Sequence, residues 1–174
     1  EGQPPAGNAS KEALRRYDAV YLGDETQKKI YLTFDAGYEN GCTEPILEAL
    51  AKHGVKAAFF VVGNYIEQNP DLVRRMLREG HIVGNHTMHH LQGRDTTCRR
   101  YLRDVAEADA LIGSPLFRPP HGIMRWSQAA ALKHRYNIIM YDVVTRDYSR
   151  RMKPRDVLEN VRRYVRSGSI IVFH

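Results

Sequence analysis

The sequence predicts an α/β fold built on a parallel sheet, either covered on both faces or curled into a barrel, and two observations carry that expectation. Short runs that are apolar throughout alternate with amphipathic segments of about ten residues, the pattern of strands buried on both faces and joined by helical crossovers. The strand-like runs also end, one after another, in reactive side chains. About six such units are present, with no internal repeat.

The strands are read at "KKIYLTF" (28–34), "KAAFFVV" (56–62), "HIVG" (81–84), "PLFR" (115–118), "NIIMYDV" (137–143) and "SIIVF" (169–173), each β-branched or aromatic. Between them, "TEPILEALAKHG" offers Thr43 as N-cap, Pro45 in the first turn, Ile46, Leu47 and Leu50 on one face, and Gly54 as a stop. "NPDLVRRMLREG" repeats that design with Pro70 and Gly80. "RRYLRDVAEADALIG", "SQAAALKHR" and "PRDVLENVRRYVRSG" continue it, ending at Gly113, near Arg135 and at Gly168.

At 174 residues the chain has the length of one domain. Residues 1–28 read as a polar leading segment whose Pro- and Gly-containing start suits a mature form with its signal removed, which points to an extracytoplasmic protein. Residues 29–174 read as the functional domain. No apolar run approaches the roughly 20 residues that span a bilayer.

The net charge of +6 lies in the second half: residues 1–90 carry 10 Lys/Arg against 12 Asp/Glu, and residues 91–174 carry 16 against 8. Without a stacking platform or a binding motif, this bias does not read as nucleic-acid binding. A solvated basic face and an anionic wall polymer remain open. Cys42 and Cys98 have no C-x-x-C spacing, so a zinc knuckle or a thioredoxin-type pair is not supported; a disulfide between them stays open.

Function is read from the strand ends. Asp35 ends the first strand, His86 follows the third, Arg118 ends the fourth, Asp142 lies near the end of the fifth and His174 ends the sixth. In parallel α/β folds those ends form one rim, so all five are expected at one mouth. His86 and His90 stand four apart in "NHTMHH", and a helical turn there places both imidazoles on one face, a spacing suited to a divalent metal. His89 points elsewhere on such a turn and is expected to be structural. A carboxylate beside a metal-activated water acts as general base when something holds it ionised, and Arg118 is the candidate holder for Asp35. Pro119 and Pro120 then fix the backbone before Gly122.

The ordered set "TFDAG", "HTMHH", "RPPHG", "DVVTRDY" and "IIVFH" resembles the polysaccharide deacetylases of carbohydrate esterase family four, over about residues 29–174. That resemblance implies a distorted, incomplete (β/α) barrel of about six or seven parallel strands, with its site at their C-terminal ends. It implies metal-dependent removal of acetyl groups from N-acetylated sugars, with zinc the first expectation and cobalt, manganese or magnesium behind it. By matching motifs, Asp35 corresponds to the base, His86 and His90 to metal ligands, Arg118 to the residue orienting the base, and His174 to the general acid. Tyr148 stands where the family often has Trp lining the acetyl pocket, and Pro119 and Pro120 are expected beside it at the substrate.

Residues 14–90 look most like the peptidoglycan branch that makes muramic δ-lactam, so an N-acetylated wall glycan is the expected partner of a monomeric enzyme. Two departures stand out. Ala36 occupies the place where most of the family has a metal-binding Asp, and the chain stops at His174 where relatives continue. These keep a non-hydrolytic glycan-binding module open, and an O-acetyl polysaccharide esterase is a further alternative.

Overall fold

The structure, a computed structural model, describes residues 16–174; the leading segment as far as residue 15 lies outside the described residues. Strand β1 (Ala19–Val20) precedes β2 (Tyr31–Ala36), helix α1 (Thr43–Lys52), β3 (Ala58–Val61), α2 (Gly63–Gln68), α3 (Pro70–Arg78) and β4 (Ile82–Asn85). Helix α4 (Cys98–Ile112), β5 (Leu116–Phe117), α5 (Trp126–Leu132), β6 (Asn137–Ile139), β7 (Val143–Val144), α6 (Pro154–Tyr164) and β8 (Ile170–Phe173) complete the order. The strands form one sheet, β1-β6-β5-β4-β3-β2-β8-β7, and every neighbouring pair is parallel.

Chain length alone requires this sheet to curl. Strands β6 and β7 lie six positions apart, about 29 Å in a flat sheet at ~4.8 Å per strand. Only Met140, Tyr141 and Asp142 connect them, a reach of about 15 Å at most. The sheet therefore wraps until its two flanks approach, giving an incomplete barrel of eight described strands.

Alternation along the strands sorts the two faces. On β2, Leu32, Phe34 and Ala36 pack outward into the cluster of Leu47, Leu50, Phe59, Val61 and Met76 beneath α1 and α3. Thr33 and Asp35 face the opposite way, into the barrel, where Arg118 reaches both. A second cluster, with Tyr101, Val105, Phe117, Leu132 and Ile138, fills the space under α4 and α5. Below Arg118 the interior opens into an apolar cavity of about 410 Å³, and Thr33 and Phe60 form part of its wall.

Several local expectations change. Thr43 is the first residue of α1 and not its cap, and its hydroxyl pairs with that of Tyr65 at 2.9 Å. The run 137–143 is not one strand: β6 ends at Ile139, and the chain crosses to begin β7 on the other flank. Strand β1 and helix α2 have no counterpart in the sequence reading, and β1 lies within the expected leading segment. Gly54, Gly80 and Gly113 do sit at helix ends with positive φ. Cys42 and Cys98 are both free thiols.

Candidate active site

Asp35 stands near the C-terminal end of β2, with 10% of its side chain exposed, beside the wholly buried Arg118 just beyond β5. Arg118 divides its fork among four acceptors. One terminal nitrogen donates to Asp35 Oδ1 and Thr33 Oγ1, each at 2.8 Å, while the other reaches the Met140 carbonyl at 3.0 Å and Nε the Ile139 carbonyl at 3.0 Å. Its guanidinium lies 4.2 Å from the centre of the Phe60 ring. A planar cation with donors in fixed directions can join β2 to the β6–β7 crossing in this way; a lysine cannot.

His86 follows β4 and is buried. Its Nδ1 lies 2.7 Å from the Arg118 carbonyl, which can only accept, so Nδ1 carries the proton and Nε2 keeps its lone pair. That Nε2 is 3.8 Å from Asp35 Oδ2. Burial pushes the His86 pKa below the ordinary value and outweighs the attraction of Asp35. The His90 ring centre is 5.1 Å away, and desolvation, followed by the neighbouring His86 and His121, pushes its pKa down to about 4. Both imidazoles are therefore neutral at pH 7, the state a metal needs.

The loop carrying them is not a helical turn. Thr87 and His90 have φ of 68° and 57°, and two buried side chains hold the unusual path. Asn85 accepts from the Thr87 N–H at 2.8 Å and donates to the Val105 carbonyl at 3.0 Å. Asp104 Oδ2 accepts from the Met88 and His89 N–H groups at 2.9 and 3.0 Å, and its Oδ1 takes the His89 ring at 2.6 Å. His89 thus turns away from His86 and His90. With Glu107 it forms the one described His/Asp/Glu group whose donor atoms all lie within 4.8 Å of one another, but Asp104 there is already occupied by the loop.

His174 ends the described chain just after β8. Its Nδ1 is 2.9 Å from Asp147 Oδ1, and its N–H donates to Asp147 Oδ2 at 2.7 Å. Burial raises the Asp147 pKa, but the His174 and Thr145 bonds outweigh it and leave the carboxyl below its ordinary value. Tyr148 is 63% exposed and stands edge-on to the His174 ring, centroids 4.8 Å apart. Pro119 and Pro120 are buried and lead into a turn closed by Gly122 N–H on the Pro119 carbonyl at 3.0 Å. Neither proline has an N–H, so the first one beyond Arg118 belongs to His121, whose φ is 58°.

One expected rim residue is misplaced. Asp142 accepts from Ile170 N–H at 2.8 Å and from the Ser169 hydroxyl at 3.0 Å, at the start of β8 and so at the end of the barrel away from His174. Asp147 and His121 were not singled out in the sequence reading. The signal for Asp147 was a carboxylate beside the aromatic of "TRDY"; for His121 it was a third imidazole within a quoted motif.

A polysaccharide deacetylase family profile matches residues 22–138. An uncharacterized 30.6 kDa protein of Geobacillus stearothermophilus is 39% identical over 183 residues, 99% of this chain and 69% of that one. The peptidoglycan-N-acetylmuramic acid deacetylase PdaA of Bacillus subtilis is 52% identical over 89 residues, 51% of this chain and 34% of its own length. The solved structure of PdaA matches with a TM-score of 0.85 at 32% identity, covering 99% of this chain and 79% of that one. A pseudoenzyme of the same family from Bacillus anthracis, BA3943, matches at 0.79 and 27%, covering 90% and 58%. With most of its length matched by the family's profile and its barrel shared with solved members, the chain belongs to the polysaccharide deacetylases, hydrolases of carbohydrate esterase family four.

Proposed function

We propose that this protein hydrolyses N-acetyl groups on the amino sugars of a cell-wall glycan, peptidoglycan first, outside the cytoplasm and with a divalent metal. The observation that carries the reading is the buried Arg118 holding Asp35 Oδ1 while Asp35 Oδ2 faces the open Nε2 of His86 at 3.8 Å. A base, its orienting cation and a neutral nitrogen donor converge there, a grouping of titratable groups that structural packing does not by itself call for. The names of the relatives, a peptidoglycan deacetylase among them, support the substrate class.

His86 and His90 would hold the ion, zinc first and cobalt, manganese or magnesium after it. When bound, it supplies Lewis-acid polarisation of the acetyl carbonyl and of the attacking water. Asp35 Oδ2 takes a proton from that water while Arg118 keeps the carboxylate in place. The His121 N–H, for which no acceptor is found among the described residues, donates to the oxyanion of the tetrahedral adduct. His174, fixed through Nδ1 by Asp147, delivers a proton from Nε2 to the leaving nitrogen as its bond to the acetyl carbon breaks. Acetate and a free amine result, and solvent exchange resets both groups. Tyr148, with Pro119 and Pro120 behind the turn, walls the acetyl side.

The test is acetate release from purified peptidoglycan, from glycan stripped of peptide and from chitooligosaccharide, with metal content measured on the same sample. No release from any of them with zinc, cobalt, manganese or magnesium would end the reading. A second reading, a glycan-binding module without turnover, draws on Ala36, which carries no donor, and on the pseudoenzyme neighbour. It predicts binding to wall fragments that Asp35→Asn leaves unchanged, with no acetate under any metal. Faster release from O-acetylated than from N-acetylated substrate would instead mark an esterase.

A further inference from the structure

Catalytic zinc sites use three protein donors and leave one position for water. The proposed metal centre has two, and a third donor has meaning only if that centre exists, so it rests on the proposed function. The groups around the two imidazoles are few. Ala36 has no donor atom and packs into the outer apolar cluster. Asp35 has one oxygen committed to Arg118 at 2.8 Å and needs the other as a base. His174 is tied to Asp147 through the ring nitrogen and the backbone alike.

His121 is differently placed. Its ring stands edge-on to His90 with centroids 4.8 Å apart, and His90 in turn is 5.1 Å from His86, so three imidazoles lie in one chain. The residue is exposed, and no carboxylate or carbonyl among the described residues holds its ring. Turning that ring to aim a nitrogen at the other two breaks no hydrogen bond of the ring among the described residues.

Its backbone is in a conformation that a side chain at this turn does not favour. Five described residues other than glycine have positive φ, and His90 and His121 are two of them; a third, Thr87, lies between His86 and His90. Such strain costs on the order of 1–3 kcal/mol per residue and persists where the surroundings enforce it, often at functional sites. At His121 the enforcing element is the pair Pro119–Pro120, whose φ is fixed.

We infer that His121 is the third protein ligand of the metal, completing a His86–His90–His121 donor set that leaves Asp35 free to act as base. In the rival cluster of His89, Asp104 and Glu107, Asp104 already holds two N–H groups and an imidazole, so an ion there would compete with the bonds that shape the His86–His90 loop.

The test uses zinc itself as the probe: affinity by competition with a chromophoric chelator, and imidazoles counted by X-ray absorption on the zinc-loaded protein. His121→Asn suits the positive φ and keeps the backbone N–H. It is expected to weaken zinc binding at least about 10-fold, the lower end of what the loss of even an outer partner causes, and to reduce the imidazole count from three to two. His121→Asp, which restores an ionised donor, is expected to recover most of the affinity. Thermal unfolding of the apo variants checks that the fold is intact. Unchanged affinity and count in His121→Asn overturn the inference while leaving the metal centre standing, as does zinc that is lost on Asp104→Asn but not on His121→Asn. Absence of zinc binding by the unaltered protein overturns the metal centre itself.

Discussion

Replacing Arg118 by Met tests the link between fold and site most directly. Arg118 is wholly buried and makes four side-chain hydrogen bonds, one of them to a carboxylate only 10% exposed. Methionine replaces its apolar stem and fills part of its volume, so the change chiefly removes the charge and its hydrogen bonds. It leaves the Asp35 charge without its partner and strands the Ile139 and Met140 carbonyls. Breaking a buried pair on one side destabilises by about 3–5 kcal/mol, against a total of about 5–15 kcal/mol for a domain. With a urea slope of about 1–3 kcal/mol per molar, the midpoint falls by at least about 1 M. The assay is equilibrium unfolding in urea on the metal-free protein, so that ligand binding does not contribute. Asp35→Asn in the same background removes the orphaned charge, and the double variant is expected to be more stable than the sum of the two single changes predicts. A midpoint within about 0.3 M of the original, or additive effects in the pair, would refute the account of Arg118 as the clamp on Asp35.

Other expectations are independent of that one. Asp147→Asn removes the negative charge beside His174 and turns one of the two oxygens that hold it into a donor, and is expected to lower kcat by roughly 10-fold or more, within the ~10²–10⁴ that a general acid supplies; KM and metal content should stay level, and a change confined to KM would argue against it. Asp104→Ala leaves the buried Met88 N–H unpaired, at about 1–3 kcal/mol, and should also weaken zinc binding about 10-fold by loosening the loop of His86 and His90; urea unfolding and chelator competition read the two effects. The apo protein should lose stability on mild acidification. His90 titrates near 6.5 unfolded and about 4 folded, so the unfolded chain binds the extra proton between those values, and stability present above pH 6.5 falls away towards pH 4. His90→Asn should flatten that slope in urea titrations at pH 7, 5.5 and 4.5; an unchanged slope would place the effect elsewhere.

The placement of much of the candidate site was legible because its polar residues sit where the apolar pattern stops. The run before Asp35 is apolar, the runs before His86 and His174 are too, and in a parallel sheet those endings share one rim. What local pattern does not carry is curvature. Asp142 reads as the end of a strand from 137 to 143, whereas the wrapped sheet makes the chain leave β6 at Ile139 and start β7 on the far flank, which puts Asp142 at the opposite end. The same crossing aims the Ile139 and Met140 carbonyls at Arg118, contacts without any sequence signature. The loop of His86 and His90 shows a second limit. Spacing suggested a helical turn, but Asn85 and Asp104 impose a path with positive φ at Thr87 and His90, and the two rings meet by that other route.

On the proposed function Asp35 cannot serve both as base and as metal ligand, and that constraint bears on the whole rim. A carboxylate drawn into metal coordination has its lone pairs committed and its basicity lowered, so it is a poor acceptor for a proton from water. Here Arg118 takes one oxygen from inside the barrel, the one direction from which a solvated ion cannot compete, and fixes the other oxygen at 3.8 Å from His86 Nε2. The clamp therefore supplies a base only if the ion finds its ligands elsewhere. Ala36 removes the adjacent candidate in the sequence, and His174 is held by Asp147. The imidazole across the mouth on the strained Pro-Pro-His turn is the remaining donor with the freedom to move. On this view the buried arginine and the exposed histidine are halves of one arrangement: the first keeps the base off the metal, and the second gives the metal the ligand it would otherwise take from the base.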